Sequence, residues 1–105
     1  MMRMTGALLS VTMAALLPQV ASAASAANGG KMAERWCAAC HIVSKDQKSG
    51  GSTQSPPFSA IANKPGFDAG TLALFLLLPH PRMPDMNMSR AEAADLAAYI
   101  TDQGR

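Results

Sequence analysis

Two cysteines three apart, followed at once by a histidine, are the residues of this chain best suited to chemistry: Cys37-Ala38-Ala39-Cys40-His41. This C-x-x-C-H order is the spacing used to attach a haem covalently. Two thiols on adjacent turns of a helix end can add to the vinyl groups of neighbouring pyrroles, while the next residue places an imidazole under the iron. His41 is then the proximal ligand, and its second ring nitrogen needs an acceptor that fixes tautomer and orientation. Other chemistries suit these residues less well. A structural zinc site takes four Cys or His ligands, and the chain offers only Cys37, Cys40, His41 and His80, with no second C-x-x-C pair. A thioredoxin-like dithiol needs a βαβ surround that the sequence lacks. A disulfide inside one helical turn closes too small a loop to stabilise much.

The compartment bears on this choice. Arg3 precedes a short apolar run from Ala7 to Leu17, Pro18 closes it, and Ala21-Ser22-Ala23 supplies the small-x-small pattern of a signal-peptidase site. The expected division is a cleaved signal peptide over residues 1–23 and one domain over residues 24–105, with a cut after Ala26 as the alternative. The apolar run is shorter than the roughly 20 residues of a spanning helix, so no integral span is expected after processing. Export to the periplasm puts both cysteines in an oxidising compartment, where they would pair or oxidise unless other chemistry protected them. Without Arg3 the chain has eight Lys plus Arg against seven Asp plus Glu, a net charge of +1 that suggests no nucleic-acid partner. Two haem propionates would take it to about −1. A domain of this size buries only about 60% of its unfolded surface and usually needs a disulfide, metal, cofactor or partner as a staple.

The remaining sequence reads as helices and loops. Asn28 is a candidate cap for a first helix over residues 29–39 that ends at the cysteine motif. Residues 44–57 are Ser, Lys, Gln, Gly and Pro with hardly an apolar side chain, a solvated loop with Gly50-Gly51 at its tip. Residues 58–62 suit a short helix that Lys64-Pro65-Gly66 ends. Asp68 or Thr71 can cap a helix over residues 71–78, whose Leu72, Phe75, Leu76 and Leu78 leave little polar face and predict burial. Pro79, Pro81 and Pro84 make the next stretch a loop rich in methionine. Ser89 with Glu92 forms a capping box for a last helix carrying Ala93, Leu96, Ala97, Tyr99 and Ile100 at helical spacing, with Gly104 at its end. No strand alternation appears, so the fold class is all-α, three to five helices around one covalently bound haem.

On these residues the chain resembles the class I cytochromes c of the small bacterial monohaem type, over nearly all of residues 24–105. Gly29, eight residues before Cys37, matches the glycine at which the family's first and last helices cross, and Leu96 and Tyr99 match its Leu-x-x-Tyr. Ser55-Pro56-Pro57-Phe58 is similar to the segment whose proline carbonyl accepts a hydrogen bond from the proximal imidazole. The resemblance gives that role to Pro56; Pro57 is one register away, and a plain turn proline is the competing reading. Pro79-His80-Pro81-Arg82-Met83-Pro84 is similar to the loop that carries the axial methionine, which selects Met83 over the chemically equal Met86 and Met88 and over His80, read as a surface loop residue.

The resemblance implies an electron carrier and not an enzyme: one haem c, His/Met-ligated, working between larger redox proteins as donor and acceptor. Two alternatives stay open, a small subunit of a periplasmic dehydrogenase or oxidase complex and an open-site haem sensor or peroxidase. Ile42, Phe58, Ile61, Phe67, Leu72, Phe75, Leu76, Leu78 and Ile100 are the expected apolar shell. Trp36 packs either on the haem or over the helix crossing. Lys45, Lys48, Lys64 and Arg82 are either a steering patch or, with acidic residues scattered among them, an ordinary solvated surface.

Overall fold

Ser25 opens the first helix, three residues earlier than the Asn28 cap expected from sequence. In the computed structural model, which describes residues 6–17 and 23–105, the Ser25 hydroxyl accepts from the Asn28 backbone N–H at 3.1 Å. Helix α1 then runs Ala26–Trp36. Asn28 therefore lies within the helix, and its side-chain amide turns instead to Asp95 Oδ2 at 2.8 Å. The Ser25 N–H donates to Asp95 Oδ1 at 2.6 Å, so one carboxylate on the last helix holds Ser25 and Asn28 at the two ends of the first turn.

Three further helices follow: α2 Phe58–Ala62, α3 Ala69–Leu77 and α4 Arg90–Asp102, with no strand among the described residues. This all-α architecture agrees with the expected class. Helices α1 and α4 make the principal crossing. A Cβ on Gly29 would lie 2.6 Å from the Asp95 carbonyl carbon and 2.8 Å from Tyr99 Cβ, so only glycine lets the two backbones approach this closely. Beneath the crossing lies the core of Met32, Ala33, Cys37, Val43, Phe58, Leu96 and Ile100.

Helix α4 begins with the expected capping box. Ser89 Oγ accepts from the Glu92 N–H at 3.1 Å, and Glu92 Oε1 accepts from the Ser89 N–H at 3.0 Å. At its other end Gly104 meets α2, where a Cβ would come within 2.8 Å of Ala62 Cβ.

Helix α3 is capped by Asp68, whose Oδ2 accepts from the Thr71 N–H at 2.7 Å and its hydroxyl at 2.8 Å. Contrary to the burial expected from its composition, none of its residues is fully buried. Leu72 and Leu76 turn to the core, while Leu74 (58% exposed), Phe75 (49%) and, just past its end, Leu78 (53%) face outward. The helices of the described residues cover one flank of α3 and leave the other apolar and open.

Leu8, Leu9, Val11, Met13, Leu16 and Leu17 lie in a stretch without regular secondary structure and are exposed. Arg3, Pro18 and the Ala21-Ser22 part of the expected cleavage site lie outside the described residues.

Candidate haem site

Helix α1 ends on the first cysteine. The Cys37 N–H donates to Ala33 O at 2.9 Å, and the chain then turns tightly, with Cys40 and His41 N–H groups donating to Cys37 O at 3.1 and 2.8 Å. This turn buries Cys37 and leaves Cys40 exposed, both as free thiols. Burial, reinforced by the neighbouring Cys40, pushes the Cys37 thiol up from 9.0 to about 11, so it stays protonated at neutral pH.

The imidazole of His41 is held by its ring nitrogen and by its backbone. Nδ1 lies 2.6 Å from the Pro56 carbonyl oxygen. A carbonyl only accepts, so Nδ1 carries the proton and the Nε2 lone pair is left available for a ligand. The acceptor is Pro56 and not Pro57, which caps α2 instead. Phe58 packs beside the ring, with centroids 5.4 Å apart.

The backbone after His41 is pinned group by group. Ile42 O accepts from the Phe58 N–H at 3.0 Å, and Val43 O accepts from the Tyr99 hydroxyl at 2.8 Å. Burial, and then the charge of Glu34, raise the pKa of that Tyr99 hydroxyl, which keeps it a donor. Gln47 supplies the remaining partners from within the loop expected to be merely solvated. Its Oε1 accepts from the Val43 N–H at 2.8 Å, and its Nε2 lies 3.1, 3.0 and 3.0 Å from the carbonyls of Ala38, His41 and Ser49. Composition hid this residue: a glutamine among Ser, Lys and Gly looks like any surface residue until the loop is closed.

Met83 is half-buried on the loop joining α3 to α4, next to Arg82, whose φ is +71°. Met86 and Met88 pack against the core cluster, to which Met83 does not belong. His80 is not the surface residue expected. Its ring stacks on Phe75 at 4.3 Å, Nδ1 lies 2.9 Å from Leu78 O, and Nε2 is buried without a hydrogen-bond partner among the described residues. The ring thus lies on the open flank of α3, against Phe75.

Among the described residues, no three His, Cys, Asp or Glu side chains gather as a metal cluster would require. The donor set suits a porphyrin instead. Two free thiols flank the turn that presents an imidazole with a free lone pair, and Ile42, Leu74, Phe75 and Leu78 offer apolar surface for a flat hydrophobic group. Of the basic residues, Lys45 donates to the Arg105 carbonyl at 3.1 Å.

Over 80 residues, 76% of this chain and 76% of the relative, the sequence is 49% identical to a cytochrome c-552 of Bradyrhizobium diazoefficiens. No family model and no solved structure matches the chain. With that similarity over three quarters of both chains and an all-α fold, the chain belongs to the class I c-type cytochromes and is an electron carrier, not an enzyme.

Proposed function

We propose that the chain is exported to the periplasm, cut after Ala23, and loaded with one haem c on Cys37 and Cys40. His41 is the proximal ligand, Met83 the distal one, and the protein passes single electrons between larger redox proteins. The observation that carries this reading is the hydrogen bond from His41 Nδ1 to Pro56 O, at 2.6 Å, directly after the pair of free thiols. It fixes the tautomer and raises the basicity of Nε2, the usual arrangement for a metal-bound imidazole.

A haem held there supplies a one-electron iron couple whose potential His/Met ligation raises. The chain's own residues do the rest. Cys37 and Cys40 fix the position of the group against the end of α1. Phe58, Leu72 and Leu76 exclude water and lower the local dielectric, which favours the less charged state. Ser25 supports a cut after Ala23 over one after Ala26, since the later cut would delete both the N-cap of α1 and its bond to Asp95.

Met83→Ala tests the ligand assignment. Loss of the thioether-to-iron charge-transfer band, with carbon monoxide binding gained in the reduced protein, is the expected result. An unchanged band would transfer the role to Met86 or Met88. Size exclusion of native protein should show it travelling alone; co-migration with a larger enzyme would make it a subunit.

A further inference from the structure

The Gln47 side chain stands out from the rest of its loop because its amide contacts the main chain before, at and after His41. Upstream it reaches Ala38 O, one residue past Cys37; downstream it reaches His41 O and the Val43 N–H. The orientation of the amide follows from these partners. Flipped, it would set oxygen against three carbonyls and NH2 against an N–H. Two amide hydrogens serve three carbonyls, so at least one is shared.

The loop is shaped to bring this amide in. Gly50 and Gly51 adopt φ of +82° and +79°, and the Gly51 N–H donates to Ala38 O at 3.0 Å. A Cβ on Gly50 would collide with the Ala38 carbonyl oxygen, and one on Gly51 would come within 2.5 Å of Ile42 Cδ1. The loop of residues 44–51 is thus folded against the turn it follows, with Gln47 as the side chain that joins them.

We infer that Gln47 is a positioning residue for the proximal imidazole: it fixes the main chain on both sides of His41 while Pro56 fixes the ring. The inference rests on the reading of His41 as an iron ligand. With the carbonyl of His41 held by Gln47 and its N–H bonded to Cys37 O, the Cα–Cβ bond can swing little, and the ring keeps the direction its bond to Pro56 requires. Without Gln47 the His41 and Val43 groups must find water, and the ring's tether to Pro56 opens more often.

The test uses the mature holoprotein. Gln47→Met keeps length and apolar volume but removes all four contacts. Thr101→Val, which removes a 2.7 Å bond to Ala97 O on α4, is the control for stability loss away from the turn. Solvent exchange of the His41 Nδ1–H should be about tenfold faster in Gln47→Met, as the loss of one net hydrogen bond implies. Its iron-shifted ring resonances should move too, with neither change in Thr101→Val. Gln47→Asn, one methylene too short to span both sides, should give a smaller change of the same sign and serves if Gln47→Met does not mature. Variants that lose stability as the control does, with His41 exchange and resonances unchanged, overturn the inference while leaving the ligand reading intact. Wild-type protein with haem but no iron-shifted His41 resonances removes both.

Discussion

Replacing Gly29 with alanine should force α1 and α4 apart. The new Cβ would sit 2.6 Å from the Asp95 carbonyl carbon and 2.8 Å from Tyr99 Cβ, where non-bonded carbons want about 3.5 Å or more. The obstacle is main chain, so no side-chain rotation relieves it, and the helices must separate by roughly 1 Å. Such a shift costs about 1–3 kcal/mol in packing. It also breaks the bonds of the Ser25 N–H and the Asn28 amide to Asp95, each worth about 1 kcal/mol. Alanine returns about 1 kcal/mol of helix propensity, leaving a net loss of roughly 2–4 kcal/mol by these terms. Gly30→Ala is the internal control. Its Cβ would meet only the Tyr99 ring edge, at 3.0 Å, which can give way, so the two terms nearly cancel. Urea unfolding of both holoproteins, followed by circular dichroism, measures the difference. Gly29→Ala as stable as wild type, or Gly30→Ala equally damaged, would refute the reasoning.

Tyr99→Phe leaves Val43 O without its 2.8 Å donor, and the same unfolding assay should read a loss of about 1–3 kcal/mol with helix content unchanged. Asp68 gives a pH signature. Hydrogen bonds from the Thr71 N–H, then its hydroxyl, hold the carboxyl below its usual 3.8, so the folded state binds fewer protons than the unfolded one. That contribution is present above pH 3.8 and is lost as pH falls through the lowered folded value. The stability gap between wild type and Asp68→Asn should therefore narrow on acidification; a gap constant with pH would contradict this account of the cap.

Local signals were the readable ones. The Ser89 and Glu92 box lies three residues apart and needs nothing else to form, and the C-x-x-C-H turn likewise carries its own geometry. Resemblance alone assigns Gly29, Leu96 and Tyr99 to the helix crossing, and the backbone approach explains why a glycine is needed. Signals that depend on distant partners were hidden. Ser25 displaces Asn28 as the cap because Asp95, 70 residues away, takes both the Ser25 N–H and the Asn28 amide. Helix α3 has little polar face, so its sequence could not say which flank α4 would leave uncovered. His80 and Gln47 each look like surface residues until the loops around them close, one onto Phe75 and the other onto the cysteine turn. In the sequence Pro56 is preferred to Pro57 by resemblance alone; in the structure it is the Pro56 carbonyl that lies 2.6 Å from His41 Nδ1.

Intact mass analysis of protein matured in cells with haem-ligation machinery bears most directly on the central claim, attachment through Cys37 and Cys40. The account predicts residues 24–105 plus one haem, with neither cysteine open to alkylation after denaturation. A mass of bare polypeptide, with both thiols alkylated, would contradict it.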